Sequence, residues 1–191
     1  MCSSDLNEKF PFLNNQKDPF FTLEKVVPSI YAQSDNGDGT GYSYMRMRGL
    51  NQTRINFNLN GIPLNEMEDQ GIYFSNMPGF YNYIPNVSVE RGVGTSKYGN
   101  TSVGGSVNFE TPSLTEKNLD IRGMVYSSSM HFYNGLFSSG LNKKGFGFLL
   151  GGSWANSKGF KEHSSSTGGS IYYAFGVVKK NDIVKLWGFN G

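Results

Sequence analysis

Residues 91–99 read RGVGTSKYG and residues 104–111 read GGSVNFET, and these two stretches decide the fold. Glycines at this density let the backbone turn tightly and let neighbouring segments approach closely. The second stretch also contains a short strand pattern over residues 106–110. After Thr111 the sequence changes to alternating aromatic and small residues with almost no helical periodicity. We therefore predict a compact, glycine-rich first part and a second part built of strands.

The composition favours β structure and excludes several classes of protein. The 191 residues include 25 glycines, and aromatic residues make up 15%; aromatic side chains suit a pleated sheet and glycine serves turns. The net charge of +2, with scattered basic residues, gives no electrostatic case for binding nucleic acid. Cys2 is the only cysteine, which excludes an intrachain disulfide and a cysteine-based metal site. No apolar run reaches the length of about 18 residues that a transmembrane helix needs.

A short helix and four short strands are predicted in residues 18–112. Residues 20–27 fit either a short helix or an edge strand, and we favour the helix; the run ends there because Pro28 cannot continue a helix interior. In the strand predicted at residues 54–60, the apolar side chains lie on one face and the asparagines on the other. The four predicted strands are residues 42–48, 54–60, 87–91 and 106–110. This pattern predicts a small mixed α+β domain.

Residues 118–191 alternate with a period of two, as membrane-spanning strands do. Each run lasts about 9–11 residues, the length that a tilted strand needs to cross a bilayer. About five such strands are predicted, separated by tight turns at residues 142–145 and 179–182 and a longer loop at residues 158–167. Five strands cannot close a bacterial barrel, so we expect this part to be a fragment of one. Residues 1–17 stay unassigned, as a leader or a junction.

No residue pattern indicates catalysis, nucleotide binding or metal binding. Residues 99–104 have the glycine spacing of a phosphate loop, but Gly105 stands where the lysine is required. The acidic residues in 35–39 miss the calcium-loop pattern at its third position, which favours solvated turn acids. His131 and His163 have no partner at ligand spacing. We therefore expect no enzyme activity, no cofactor and no metal.

An ordered set of motifs across residues 18–112 resembles the TonB-dependent outer-membrane receptors, especially those of Bacteroidetes-type bacteria. The motifs occur in the family's order and near its spacing: Val27-Pro28-Ser29-Ile30-Tyr31, Arg48-Gly49, Asn60-Gly61-Ile62-Pro63-Leu64, Val89-Glu90-Arg91-Gly92, Tyr98-Gly99 and Gly104-Gly105-Ser106-Val107-Asn108. Asn60 replaces a frequent aspartate, and both residue types tolerate positive φ. The upstream segment that docks the energy-coupling protein has no convincing copy.

The resemblance implies an α+β plug domain with a small mixed sheet at residues 18–112. The first antiparallel strands of an incomplete transmembrane β-barrel follow at residues 118–191. It also implies active import of a ferric siderophore, corrinoid or oligosaccharide across the bacterial outer membrane. The implied partners are a TonB-type energy-coupling protein of the inner membrane, outer-membrane lipid, the substrate and a surface lipoprotein.

Two alternative functions fit the sequence less well. A secreted all-β module that binds carbohydrate or protein explains the alternation and the aromatic residues. It does not explain the long strands or the glycine-rich motifs. A passive porin or adhesin barrel leaves residues 18–112 without a role.

The resemblance assigns roles to individual residues. Arg48 and Arg91, with Glu90 beside the second, are expected to lock the plug to barrel glutamates beyond Gly191; alternatively, the two arginines only brace neighbouring turns. The plug apices are expected at residues 35–42, 51–54 and 66–73. The side chains expected to contact substrate are Tyr42, Arg54, Gln70 and Tyr73. The turn glycines of the plug are Gly49, Gly61, Gly92, Gly99, Gly104 and Gly105.

Overall fold

The computed structural model of the protein describes residues 2–5, 18–36, 41–93, 103–127, 130–159, 162–179 and 182–191, with the backbone alone at 2–5, 120 and 122–127. The chain divides into two compact units. The first unit comprises Met1–Ser75 and Ile84–Thr111, and the second comprises Asn76–Tyr83 and Pro112–Gly191. A short segment from within the first half of the sequence therefore belongs to the second unit.

The first unit is a mixed α+β domain, as predicted. Its elements, in chain order, are β1 (Cys2–Asp5), α1 (Pro19–Val26), β2 (Ile30–Ser34), β3 (Ser43–Met47), β4 (Leu50–Asn51), β5 (Ile55–Leu59), β6 (Ile62–Pro63), β7 (Asn86–Arg91) and β8 (Gly105–Glu110). One sheet has the strand order β1-β7-β8-β5-β6, in which only β5 and β8 are parallel. A second, antiparallel sheet has the order β2-β3-β4.

Helix α1 begins and ends where the sequence carries capping signals. The Asp18 carboxylate accepts a hydrogen bond from the Phe20 amide at 2.8 Å, and Pro19 occupies the first turn. The helix ends where the Val27 amide bonds to the Leu23 carbonyl, one residue before Pro28. Its buried face forms the core of the unit, because the ring of Phe20 packs against those of Phe57 and Phe74 at 5.6 and 5.1 Å.

The two faces of the five-stranded sheet differ in polarity, as the alternation predicts, but the polar face is not simply exposed. Ile55, Phe57 and Leu59 are buried on the core face. On the polar face, Asn58 aligns with Asn108 across the parallel pair, and each is only 1% exposed. Neither amide nitrogen has a hydrogen-bond partner among the described residues. The alternation thus predicts which face a side chain is on but not whether water reaches it.

Strand β1 was not predicted from the sequence. It pairs antiparallel with β7, from Cys2 opposite Val89 to Asp5 opposite Asn86. The four residues carry no alternation of polar and apolar types. Backbone groups on the outer edge of β7 provide the pairing, and a strand edge can accept a segment of almost any composition.

The second unit contains five antiparallel strands in chain order: β9 (Lys117–Ser127), β10 (Met130–Ser139), β11 (Phe146–Ser157), β12 (Ser166–Lys179) and β13 (Asp182–Asn190). Large apolar side chains are exposed at alternate positions, as at Leu150, Trp154 and Tyr173. Side chains of the opposite face, including Leu136, Leu149 and Tyr172, are buried. In the part of the chain that the structure describes, no helix is long and apolar enough to cross a membrane.

Candidate functional site

The buried side chain of Gln52 joins two of the predicted apices. Its Oε1 accepts a hydrogen bond from the Met45 amide at 3.2 Å, and its Nε2 donates to the Ile72 carbonyl at 3.5 Å. Strand β3 and the loop at residues 66–73 are thereby held side by side. Sequence reasoning missed Gln52, because a single polar residue in a short turn carries no signal of burial.

This arrangement brings Tyr42 and Tyr73 together. Their rings meet edge to face, with centroids 5.5 Å apart and an interplanar angle of 79°. Edge-to-face packing places the positive edge of one ring on the negative face of the other. Tyr42 keeps 53% of its surface exposed. Two of the four residues predicted to contact substrate therefore form one accessible aromatic cluster.

Asp69 fixes the orientation of Tyr73. The Tyr73 hydroxyl donates to one carboxylate oxygen of Asp69, and the Gly71 amide donates to the other at 2.7 Å. The bond from Tyr73 is the main cause that lowers the pKa of Asp69, and it raises the pKa of Tyr73 to about 12. At neutral pH the cluster therefore presents a neutral phenol bound to a carboxylate. Asp69 was not predicted as a site residue.

Gln70 lies in the turn next to this cluster. Its φ is +61°, its amide donates to the Glu66 carbonyl at 2.9 Å, and its carbonyl accepts from Asn65 Nδ2 at 2.8 Å. Asn65 Oδ1 in turn accepts a hydrogen bond from the Phe57 amide at 2.8 Å. The loop is therefore fastened to β5 by one asparagine side chain.

Arg54 is an exposed residue in the 3-10 turn Gln52–Arg54. Its carbonyl accepts a hydrogen bond from the Gly104 amide at 2.9 Å. Over the described ranges, no hydrogen bond or ion pair joins its guanidinium to the tyrosine cluster. The structure thus gathers Tyr42 and Tyr73, with Gln70 beside them, without linking Arg54 to them; contact with a substrate stays a prediction.

The predicted lock residues lie at the edge of the glycine-rich motifs. Arg48 has a φ of +52°, and its Nη1 lies 3.2 Å from where a Cβ atom at Gly92 would stand. The Glu90 carboxylate accepts a hydrogen bond from the Ser106 hydroxyl at 3.2 Å. Arg48 and Arg91 are both exposed, and neither forms an ion pair with any residue that the structure describes. Their role in locking stays a prediction.

The motif glycines fall into two physical groups. Gly49 and Gly61 have φ values of +81° and +83° with nothing within 4 Å of a built Cβ, so only their backbone conformation favours glycine. Gly104 and Gly105 are buried, and a Cβ there would meet the Arg54 carbonyl oxygen at 2.7 Å and the Glu90 carbonyl oxygen at 2.3 Å. Gly92 has a φ of +98°. Gly99 lies outside the described residues.

Asp18 is a buried carboxylate of the first unit. It accepts hydrogen bonds from the Phe20 amide and the Ser43 hydroxyl, which tie α1 to β3. Burial raises the pKa of Asp18 from 3.8 to about 6, and the two hydrogen bonds oppose this shift. Within the described ranges, no group of three or more His, Cys, Asp or Glu side chains could hold a metal ion.

The sequence model of the family described as TonB-dependent Receptor Plug Domain matches residues 17–106. A search of curated protein sequences found no significant match.

Several solved structures share the fold. The copper transporter OprC is 16% identical with a TM-score of 0.73, over 98% of this chain and 30% of its own. The FrpB iron transporter from Neisseria meningitidis is 17% identical with a TM-score of 0.70, over 91% of this chain and 28% of its own. The siderophore receptor PirA from Acinetobacter baumannii is 16% identical with a TM-score of 0.67, over 98% of this chain and 31% of its own. The chain thus spans less than a third of the length of each.

Proposed function

We propose that this chain, whose residues 17–106 match the plug domain of the TonB-dependent receptors, is such an outer-membrane receptor and imports a scarce nutrient through a plugged β-barrel. A TonB-type protein of the inner membrane supplies the energy for this import. The nutrient is a ferric siderophore, a corrinoid or an oligosaccharide. No catalytic step is part of the proposal.

The observation that carries the proposal is the order of the two units along the chain. A compact mixed-sheet unit is followed by five antiparallel strands of 9–14 residues, and a tilted strand needs about 9–11 residues to cross a bilayer. Side chains such as Ile171 and Leu186 are exposed on these strands. Apolar side chains in such a row are stabilised by lipid rather than by water.

The test of import uses the full-length receptor in its own bacterium. A strain that lacks the receptor gene is grown on limiting amounts of each candidate nutrient, with and without the receptor restored. Growth and uptake of a labelled nutrient depend on the receptor and on the TonB-type protein if the proposal is right. Equal uptake of every candidate in both strains contradicts it.

The cluster of Tyr42, Tyr73 and Asp69 is the proposed substrate contact. An exposed aromatic pair beside a carboxylate offers stacking surface and hydrogen-bond acceptors, which suits all three nutrient classes. Tyr42→Ala is expected to lower substrate affinity at least tenfold. Tyr31→Ala is the matched control, because Tyr31 is similarly exposed, at 57%, but lies on β2. Equal affinities for the two variants contradict the assignment.

Arg48 and Arg91 are the proposed lock between the plug and glutamates of the barrel wall. Both arginines are exposed in the described residues, and in this proposal the barrel glutamates bury them. Removing one partner of a buried ion pair costs about 3–5 kcal/mol, because the other charge stays buried and unpaired. Arg48→Ala and Arg91→Ala are therefore expected to lower plug stability and to alter uptake. Arg46→Ala is the control, since Arg46 is an exposed arginine of β3 outside the motifs. Unchanged uptake and unchanged plug stability in both motif variants remove the lock assignment.

The partners follow from the same proposal. Outer-membrane lipid surrounds the strands, the TonB-type protein pulls on the plug, and a surface lipoprotein delivers or retains the substrate. Purification of the receptor with an affinity tag, in the presence of substrate, tests the last of these. Absence of any lipoprotein in the purified complex contradicts that part of the proposal.

A further inference from the structure

One segment of the plug sequence is built into the strand unit. The segment Asn76–Tyr83, which we call the strap, lies inside the residues that match the plug family. In the fold it belongs with Pro112–Gly191 and not with the rest of the plug. The residues before and after it, Met1–Ser75 and Ile84–Thr111, form the other unit together. The chain therefore leaves one unit at the strap and returns to it.

Polar contacts fasten the strap to the strands at Pro78. The Ser153 hydroxyl lies 2.8 Å from the Pro78 carbonyl oxygen, and the Ser170 hydroxyl also donates to that oxygen. The two hydroxyl oxygens lie 2.6 Å apart. Ser153 on β11 and Ser170 on β12 are direct cross-strand partners. One strap carbonyl is thus bound by hydroxyls on two neighbouring strands.

Aromatic packing fastens the strap at its other end. The rings of Tyr83 and Tyr172 stack with centroids 5.6 Å apart and an interplanar angle of 16°. Phe80 packs edge to face against Phe189 at 5.7 Å. Tyr83 is buried in one cluster with Leu136 and other side chains of the strands. The strap therefore contacts β10, β12 and β13 through rings removed from water.

Glycines on the strands and in the strap make room for this close approach. A Cβ atom at Gly79 would stand 2.3 Å from the Ser153 hydroxyl, and one at Gly151 would stand 2.6 Å from the Tyr83 ring. Both distances are too short for any real Cβ atom, so each position needs glycine or a shift of its neighbour. Glycine at positions 79 and 151 therefore permits the close contact between the strap and the strands.

We propose that the strap stays on the strands while the rest of the plug is displaced during import. This inference rests on the proposed function. Strands of a barrel hold each other by complete backbone ladders and cannot follow a moving plug. The contacts at Pro78, Phe80 and Tyr83 hold the strap to those strands. Met1–Ser75 and Ile84–Thr111 form one unit and share a sheet, so they move together while the strap stays in place.

A disulfide tests whether the strap needs to move. A Cβ atom at Gly168 would stand 3.6 Å from the Pro78 Cβ, within the range of about 3.5–4.5 Å between bridged Cβ atoms. The full-length receptor carries Pro78→Cys and Gly168→Cys in a Cys2→Ser background, and each single variant is a control. Uptake by the oxidised receptor is expected to stay within twofold of the reduced one. Loss of uptake on oxidation, restored by reduction, overturns the proposal.

Hydrogen exchange tests the strap without relying on import. In the purified receptor in detergent, urea is raised until the amides of β5 and β8 exchange freely. The Phe80 and Asn82 amides, which bond to the Met77 and Gly79 carbonyls at 3.0 Å each, are expected to stay protected. Exchange of these two amides together with β5 and β8 overturns the proposal. A receptor that imports nothing in any form refutes the proposed function instead, and hydrogen exchange still decides the strap.

A glycine pair gives the matched variants for this measurement. Gly79→Ala is expected to raise exchange at Phe80 and Asn82 at least tenfold, because the new Cβ meets Ser153. Gly61→Ala has a similar positive φ but nothing within 4 Å, and it is expected to leave those two amides unchanged. Equal exchange in the two variants contradicts the contact that holds the strap.

Discussion

Replacing Gly105 with alanine is expected to destabilise the central strand of the plug sheet much more than replacing Gly61 with alanine. Gly105 begins β8, which lies between β7 and β5 in the sheet. Its φ is +132°, a conformation that side chains with a Cβ rarely adopt. A Cβ there would also meet the Glu90 carbonyl oxygen at 2.3 Å and the Met47 sulfur at 2.9 Å. The first contact is with backbone, which cannot rotate away.

Backbone strain and steric overlap together set how much stability Gly105→Ala loses. Backbone strain at such a φ costs about 1–3 kcal/mol, and forcing an atom into a filled site costs about 1–3 kcal/mol more. Gly61→Ala carries only backbone strain, about 1–2 kcal/mol. Taking the middle of each range, the difference between the variants is about 2.5 kcal/mol, a large part of the 5–15 kcal/mol that stabilises a typical domain.

Amide hydrogen exchange in the detergent-solubilised receptor measures this difference directly. A difference of about 2.5 kcal/mol corresponds to about a sixtyfold change in protection, and it is expected at the amides of residues 105–110. The wild-type protein and Gly61→Ala set the reference. Equal protection of these amides in Gly105→Ala and Gly61→Ala refutes the reasoning, because the close approach to Glu90 would then carry no energy.

Further predictions concern buried polar groups and the tyrosine cluster. Burial raises the pKa of Asp18 to about 6 in the folded protein, so the folded state binds more protons than the unfolded one between about pH 4 and pH 6. The contribution of Asp18 to the free energy of unfolding therefore falls as pH rises through that window, by at most about 3 kcal/mol. Urea unfolding at a series of pH values measures this fall. In Asp18→Asn the free energy of unfolding is expected to lack it. Asp69→Asn is expected to lower the pKa of Tyr73 from about 12 toward its ordinary value, as measured by ultraviolet titration of the phenol. Gln52→Ala removes two hydrogen bonds at a buried site, which costs about 1–3 kcal/mol and is expected to weaken protection of the Met45 amide; unchanged protection contradicts the role of Gln52.

Local patterns were enough to predict α1, the alternating strands of the second unit, and β3, β5, β7 and β8 of the first, but not β1, β2, β4 or β6. A period of two over residues 118–191 predicts strands because successive side chains on a strand point to opposite faces. Pro28 predicts the end of α1 because a helix interior excludes proline; the Asp18 cap at its start was not predicted. The motif glycines predict turns because positive φ is open to glycine at little cost. Each of these signals lies within a few residues along the chain.

The contacts within the candidate site were harder to predict than the regular elements, because they depend on tertiary structure. Tyr42 and Tyr73 were each predicted from their positions in apical loops, but their contact depends on the fold, in which Gln52 bonds to Met45 of β3 and to Ile72, the residue before Tyr73. Asp69 was missed because an acidic residue in a polar loop is ordinarily solvated. Its bond to the Tyr73 hydroxyl arises only after the loop has turned.

The sequence by itself determined that this chain has a plug-like mixed domain followed by alternating strands, because capping, turn and alternation signals act between near neighbours. Only the tertiary structure decided that residues 76–83 join the strands, that Cys2–Asp5 extends the plug sheet, and that Asn58 and Asn108 are buried. The partners that decide these features are far away in sequence: Pro78 bonds to Ser153 and Ser170, 75 and 92 residues later. Hydrogen bonds and ring packing over such separations depend on how the whole chain folds, and a local pattern of residue types carries no record of them.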